Sequence, residues 1–293
     1  MLKSLKNCGK DFCALKWVPN FLTLCNSLCG FAAILITLRV YELAREPEQA
    51  ATVYMTSAFI ILFAMVFDAL DGFVARLLNA SSVYGVEMDS LSDMVTFGLA
   101  PATIVAIMTH TMRIEWMKST GVEAPAVLID VREIIVYCLC CVYIGGAALR
   151  LARYNIHALM PEKAEKNMSK NYFSGLPSPG AAAAICSIVI FAKDAGTLPG
   201  EYNRFIIRYL PIYAALLGLL MVSKVPYVHA GRWICGVFKR KQRMVILLLI
   251  IAVIVIFRIS GITALVTLYV LSGFVNLIIQ AFNKERFAEG GDK

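Results

Sequence analysis

Residues 68–93 read DALDGFVARLLNASSVYGVEMDSLSD, and they place four aspartates at the junction between two long apolar runs. The four are Asp68, Asp71, Asp89 and Asp93. The chain that surrounds them is 59% hydrophobic and has a mean hydropathy of +0.70. Because acidic side chains at a membrane edge are costly, this stretch indicates a functional site.

The apolar runs predict the fold class. The chain has 293 residues, 16% of them charged, and several apolar runs approach the ~20 residues that a helix needs to cross a bilayer. Each span should be a helix, because hydrocarbon offers no hydrogen-bond partner to the backbone. We predict an all-α integral membrane protein, a polytopic bundle of about eight transmembrane helices with a six-helix core and a C-terminal helical hairpin. The predicted spans are residues 18–38, 53–76, 86–110, 132–156, 178–193, 205–223, 243–259 and 261–282.

The distribution of basic residues predicts the orientation. A bilayer explains the net charge of +8 better than nucleic acid does, because Lys and Arg collect on the cytoplasmic side of membrane proteins. Placing both termini in the cytoplasm puts most of these residues inside, so we predict a multi-pass inner (cell) membrane protein whose aspartates face the cytoplasm. The predicted segments are an amphipathic cytoplasmic N-terminus (1–17), a membrane domain (18–227), a basic cytoplasmic loop (228–242) and the C-terminal hairpin with its tail (243–293).

The spacing of the aspartates predicts that they meet. Asp68 and Asp71 are three residues apart, and Asp89 and Asp93 are four apart, so each pair shares one face of a helix. Turn-forming residues lie between the pairs: Asn79, Ser81, Ser82 and Gly85. Two consecutive helices should therefore meet at a corner and direct two carboxylates each at the other.

Four clustered carboxylates repel one another unless cations neutralise them. Mg²⁺ and Mn²⁺ prefer carboxylate and phosphate oxygens, and two such ions suit a displacement at phosphorus. Gly72 and Ala75 share the side of Asp68 and Asp71 and would let a ligand approach the backbone. Gly85 would do the same on the next helix, and Arg76 can bind phosphate or hold an aspartate.

Two other interpretations of the aspartates stay open. They could be solvated end charges or helix caps, with Asp89 beside Ser90 as the cap. They could also form the membrane site of a divalent-cation transporter, although a transporter should place acids near the bilayer midplane and on several helices.

The stretch resembles the signature of the CDP-alcohol phosphatidyltransferase family at all eight positions: Asp68-x2-Asp71-Gly72-x2-Ala75-Arg76-x8-Gly85-x3-Asp89-x3-Asp93. The resemblance implies that the four aspartates hold two divalent ions, Mg²⁺ or Mn²⁺, on the diphosphate of a lipid CDP-alcohol. An alcohol then attacks the lipid-side phosphorus and CMP leaves. The resemblance also implies that Asp93 is the base, that Gly72, Ala75 and Gly85 line the cytidine pocket, and that the protein is a homodimer.

Further stretches resemble the serine-using, membrane-embedded branch of that family. They are residues 18–20, 92–102, 148–155, 172–179, 221–224 and 226–227. This resemblance implies CDP-diacylglycerol and L-serine as substrates, whereas glycerol 3-phosphate, choline and inositol phosphate stay open as other acceptors. The residues do not distinguish direct attack from a covalent route.

The acceptor pocket is predicted from the residues near the cytoplasmic end of the fourth span. Arg150 and Arg153 are three residues apart, and either can bind the serine carboxylate or extend towards the lipid headgroups. Asn155 can add a hydrogen bond, and Lys224 is a further candidate. The segment Gly175–Pro179 either covers this pocket or caps the fifth helix.

Overall fold

A computed structural model describes residues 17–43, 47–78, 82–121, 130–159, 172–194, 200–223, 225–228 and 259–273. Its helices are α1 (Val18–Leu38), α2 (Val40–Leu43), α3 (Pro47–Leu77), α4 (Val83–Asp93), a π-helix (Met94–Leu99), α5 (Ala100–Thr120), α6 (Val131–Leu159), α7 (Ser178–Asp194), α8 (Gly200–Val222) and α9 (Ile259–Gly273). The strands β1 (Tyr172–Ser174) and β2 (Pro226–Val228) pair antiparallel, with Phe173 opposite Tyr227.

The prediction of a polytopic helical membrane protein is confirmed. Among the described residues, five helical segments are long and apolar enough to cross a membrane. They are Val18–Glu42, Gln49–Leu77, Val83–Thr120, Val131–Ile156 and Arg204–Val222. The helices α7 and α9 are apolar but shorter. The two-stranded sheet was not predicted from the sequence.

Parts of the predicted organisation lie outside the described residues. These parts are the N-terminal segment 1–17 apart from Trp17, the basic loop 228–242 apart from Val228, the span 243–259 apart from Ile259, and the last span and the tail beyond Gly273. The count of eight spans, like the division into four segments, therefore stays a prediction.

Successive segments from α1 to α8 run in opposite directions, with α4, the π-helix and α5 counted as one continuous segment, and this brings distant segments together at each end. Near the start of α1, Thr23 donates to Asp71 of α3, and Arg153 near the end of α6 donates to Val222 at the end of α8. We call this end, which carries the four aspartates, the aspartate end, and the opposite end, with Leu38 and Thr120, the far end. The helix α9 packs on α7, where Thr263 donates to the Ser187 carbonyl at 3.0 Å.

Small residues allow the helices to pack closely, as is usual between membrane helices. A Cβ at Gly218 of α8 would lie 2.6 Å from the Cα of Tyr143 in α6. A Cβ at Gly30 of α1 would lie 2.7 Å from the Cα of Thr96 in the π-helix. These positions need glycine, because no side chain fits between the backbones.

A proline directly after the π-helix removes one helical hydrogen bond from it. Pro101 has no backbone N–H, so the carbonyl of Phe97, four residues earlier, loses its helical partner. The Tyr143 hydroxyl donates to that carbonyl at 2.7 Å and replaces the missing bond. This irregular turn follows Asp93 directly, and its residues Thr96, Phe97 and Gly98 lie buried in the core, where such an arrangement is tolerated.

Candidate active site at the aspartate end

Three of the four aspartates form a compact group. Asp68 and Asp71 extend from the last turns of α3, and Asp89 extends from α4. One carboxylate oxygen from each lies within 4.8 Å of the other two. The structure thus brings together carboxylates from two helices, in the corner that the sequence spacing predicts.

The start of α4 is set by a serine cap. The Ser82 hydroxyl accepts a hydrogen bond from the backbone N–H of Gly85 at 3.0 Å and caps α4. The helix therefore begins at Val83, three residues before the predicted span. The alternative that Asp89 is the cap is wrong, since Asp89 lies in the second turn of α4.

Asp93 lies beside this group, one turn further along the chain. It is buried, with 8% of its surface exposed, and its carboxyl interacts electrostatically with Asp68. The Asn26 amide nitrogen lies 3.5 Å from Oδ1 of Asp93, the long limit of a hydrogen bond.

The helix α1 supplies polar residues to the site that sequence reasoning missed. Thr23 donates to Oδ2 of Asp71 at 2.8 Å, and Asn26 faces Asp93 from the next turn of the same face. Ser92 donates to the Thr23 carbonyl at 2.8 Å, and Thr96 donates to the Asn26 carbonyl at 2.9 Å. These bonds fix α1 against α4 and the π-helix.

The donor set fits a hard divalent cation. The group consists of carboxylate oxygens, the ligand type that Mg²⁺ and Mn²⁺ select. Among the described residues, Oδ1 of Asp89 is buried and has no hydrogen-bond partner. A buried oxygen without a partner is costly, and a bound cation would satisfy it. The clustered aspartates could therefore hold a metal ion.

The small residues of the signature face different surroundings. A Cβ at Gly72 would meet no described atom within 4 Å, so this side of α3 is open. Arg76 donates from Nε to the Gly72 carbonyl at 2.8 Å. Ala75 is half-buried. A Cβ at Gly85 would lie 3.4 Å from Oδ1 of Asn20, so Gly85 packs against the start of α1.

Arg150 is the acceptor candidate that lies nearest the aspartates. It interacts electrostatically with Asp93 and Asp68, and it donates to the hydroxyl of Ser178. Ser178 is fully buried and begins α7, so the segment before that helix reaches the site.

The other acceptor candidates contact neighbouring helices. Arg153 donates to the Val222 carbonyl at 3.1 Å and so satisfies the end of α8. Asn155 accepts from Ser90 at 2.7 Å and donates to Glu87 at 3.4 Å, which ties α6 to α4. Lys224 lies outside the described residues.

Comparisons with known proteins agree with this geometry. The family model described as CDP-alcohol phosphatidyltransferase matches residues 16–222, which is more than half of the chain. A Saccharomyces cerevisiae protein is 38% identical over 57% of this chain and 51% of its own length. A Helicobacter pylori protein is 28% identical over 80% of this chain and 86% of its own length. A Methanocaldococcus jannaschii protein is 29% identical over 72% of this chain and 73% of its own length.

All three relatives carry the name CDP-diacylglycerol–serine O-phosphatidyltransferase. The match thus spans about half the length of the yeast relative and most of the length of the bacterial and archaeal ones.

Proposed function

The chain belongs to the CDP-alcohol phosphatidyltransferase family, and we propose that it transfers the phosphatidyl group of CDP-diacylglycerol to the hydroxyl of L-serine. The products are phosphatidylserine and CMP. The observation that carries this proposal is the three-carboxylate group with Asp93 beside it. The printed names of the relatives support serine as the acceptor.

Asp68, Asp71 and Asp89 are the proposed ligands of two divalent ions, Mg²⁺ or Mn²⁺, with Asp93 as a further ligand at the edge. When bound, the ions neutralise the diphosphate and stabilise the charge that develops on the departing CMP. The hydrogen bond from Thr23 fixes one oxygen of Asp71, which leaves the other free for coordination.

Asp93 is the proposed general base. The serine hydroxyl gives its proton to the Asp93 carboxylate while the serine oxygen forms a bond to the lipid-side phosphorus. The bond from that phosphorus to CMP breaks, and CMP leaves. Asp93 suits this task because it lies beside the metal ligands but outside their closest group, where it can reach the attacking oxygen. Asn26 helps to hold the carboxylate.

Arg150 is the proposed partner of the serine carboxylate. Its contact with Ser178 holds the guanidinium at the site, near Asp93. A serine bound there by its carboxylate would present its hydroxyl towards the base. Arg153 and Asn155 contribute by fixing the walls of this pocket, and Lys224 stays a further candidate for binding serine.

The CDP group is proposed to lie along α3 and the start of α4. The open side of Gly72 gives the cytidine access to the backbone, with Ala75 and Gly85 as its other walls. Arg76 is placed to bind a phosphate oxygen, since its bond to the Gly72 carbonyl engages only Nε.

The membrane setting follows from the same proposal. The family match over residues 16–222 supports a catalytic domain of residues 18–227 with the C-terminal hairpin as an appendage. The excess of basic residues in the sequence segments that we predict to be inside supports a cytoplasmic active site in the inner membrane with both termini inside. We also propose a homodimer.

The position of the acids argues against a cation transporter. All four aspartates lie at one end of the bundle on two consecutive helices, whereas a transport site belongs near the midplane.

The decisive experiment measures CMP release by the purified protein supplied with CDP-diacylglycerol, Mn²⁺ and a panel of alcohols. Serine, glycerol 3-phosphate, choline and inositol phosphate are compared. Serine-dependent CMP release that stops with a chelator and returns with Mn²⁺ is the expected result. Release with another alcohol alone would reject serine, and no release with any alcohol would reject the transferase.

A second measurement tests the metal site independently of turnover. Titration of Mn²⁺ followed by electron paramagnetic resonance should give two bound ions per chain. Asp71→Asn should weaken that binding, and Glu42→Gln, an exposed acid at the far end, should not.

A further inference from the structure

A second pocket lies at the far end of the bundle, between α5, α6 and α8. Its volume is about 540 Å³, within the range of ligand pockets, about 300–1,000 Å³. Arg113 of α5, which borders this pocket, is twenty residues beyond Asp93 along the same continuous helix. At 1.5 Å per residue this separates the two sites by about 30 Å.

The mouth of this far-end pocket is basic. Four arginines line it: Arg113, Arg132, Arg204 and Arg208. Arg113 is neutralised by Asp130 and by Glu133, whose carboxylate also pairs with His110. Among the side chains that the structure describes, no carboxylate lies within ion-pair distance of the other three arginines. The described side chains of the pocket therefore carry a net positive charge.

Below the arginines, the wall of the pocket is apolar. Ile212 lies one turn deeper than Arg208 on α8, which is about 6 Å along the axis, and Val136 and Leu139 line the facing side on α6. Trp116 borders the mouth, as is typical of a tryptophan at the headgroup level. Charge at the headgroup level above an apolar wall matches a lipid, which has its phosphate above its chains.

We propose that this pocket binds an anionic phospholipid of the leaflet at the far end. Arg132, Arg204 and Arg208 contact the lipid phosphate and the headgroup charge, and an acyl chain lies along the wall formed by Val136, Leu139 and Ile212. Charge complementarity selects an anionic lipid over a zwitterionic one. The site is separate from the aspartates and does not depend on the proposed transferase activity.

Fluorescence quenching of Trp116 tests the proposal. The chain has three tryptophans, and Trp17→Phe with Trp233→Phe leaves Trp116 alone. This protein is reconstituted in phosphatidylcholine vesicles that contain a small fraction of brominated phosphatidylglycerol or of brominated phosphatidylcholine. Brominated phosphatidylglycerol should quench Trp116 at lower mole fraction. Arg204→Gln with Arg208→Gln should reduce that preference, by about fivefold for each arginine.

The control removes the same charge from the same end without touching the pocket. Arg39→Gln with Lys118→Gln should keep the preference for phosphatidylglycerol, because neither residue lines the far-end pocket. Equal quenching of Trp116 by the two lipids would overturn the proposal. So would an equal loss of the preference for phosphatidylglycerol in the pocket variant and in the control variant. If neither lipid quenches Trp116 and the protein is a dimer that dissociates in Arg204→Gln/Arg208→Gln, the pocket binds a second copy of the chain instead of a lipid.

Discussion

The two ends of the helix bundle both gather charged side chains, but the charges are held in opposite ways. At the aspartate end, four acids from residues 68–93 lie buried or half-buried. The single described cation that interacts with them is Arg150. At the far end, basic residues from three helices surround an open pocket, and Arg113 has two acidic partners.

This difference separates the site that we propose for catalysis from the surface that we propose to bind lipid. Like charges held together without cations cost stability, so the acid group is retained for what it binds. Exposed arginines at headgroup depth cost little. Equivalent substitutions at the two ends should therefore differ in the size of their effect on turnover and in the sign of their effect on stability.

The largest expected effect is on turnover at the aspartate end. Asp93→Asn should lower the rate of serine-dependent CMP release by about 10²–10⁴-fold, because the amide cannot accept the serine proton. Binding of CDP-diacylglycerol, measured by equilibrium binding of labelled lipid, should persist. Asp71→Asn should weaken this binding, because a metal ligand is lost.

The matched change at the far end is Glu42→Gln, which also turns an acid into an amide and should leave turnover unchanged. A rate for Asp93→Asn within about tenfold of the wild type would contradict the role as base. Loss of lipid binding equal to that of Asp71→Asn would make Asp93 a metal ligand only.

The second effect separates the two arginines of α6. Arg150→Ala should raise the KM for serine by about 10–100-fold, because a charged hydrogen bond to the carboxylate is lost. The KM of Arg150→Lys for serine should lie between those of the wild type and Arg150→Ala, since lysine keeps the charge but not the planar donor pair. Steady-state kinetics over serine concentration measures both.

Arg153→Ala is the control for this comparison. Its contact is the Val222 carbonyl at the end of α8, so it should lower thermal stability with little change in the KM for serine. If Arg153→Ala raises that KM more than Arg150→Ala does, the two assignments must be exchanged.

The third effect concerns Asn26, which acts through Asp93. Asn26→Leu should lower kcat about tenfold, with a smaller change in the KM for serine, because the carboxylate loses the donor that helps to hold it. The pH dependence of kcat should shift as well, which loss of packing alone would not cause. Thr37→Val is the control, because it removes a buried hydroxyl of the same helix whose one bond among the described residues is to the Ala33 carbonyl. Equal losses in both variants would reduce Asn26 to a structural residue.

The sequence was sufficient for the aspartate pairs because their information is local. Spacings of three and four residues on consecutive helices fix which carboxylates meet. Thr23 and Asn26 were missed because each is one polar residue in a long apolar run. Their signal was present, since both share a face with Gly30, whereas Leu24 and Leu28 face outward.

Contacts between distant elements could not be predicted in this way. Arg150 and Arg153 share a helix face, yet one reaches Ser178 and the other Val222, which depends on how α7 and α8 pack. Pro101 marked the irregular turn, but the Tyr143 hydroxyl that completes it comes from α6. The arginines of the far-end pocket lie on three helices and form no local pattern at all.

The fourth prediction is that removing an acid changes the unfolding temperature in opposite directions at the two ends. In the presence of a chelator, Asp89→Asn should raise the unfolding temperature by about 2 °C or more, because one of the clustered negative charges is removed. Glu133→Gln at the far end should lower it, because Arg113 and His110 lose their shared partner. In excess Mn²⁺ the wild type should unfold at a higher temperature than Asp89→Asn, because the ion stabilises the wild type more. A variant Asp89→Asn that is less stable than the wild type in chelator would refute the repulsion between the acids.

The smallest effect concerns the ion pair between Arg113 and Asp130 at the far end. The hydrogen bond from Arg113 holds the pKa of the Asp130 carboxyl below its usual range. A group with a lowered folded-state pKa contributes stability above its unfolded pKa of about 3.9, and that contribution is lost as the pH falls through the folded value. Asp130→Asn should therefore unfold at a slightly lower temperature than the wild type at neutral pH, and this difference should disappear in acid.

The coupling between Arg113 and Asp130 is measured from unfolding temperatures at each pH. The four proteins compared are the wild type, Asp130→Asn, Arg113→Gln and the double variant. A coupling that persists unchanged below the folded-state pKa would show that the far end is not stabilised by this charge pair.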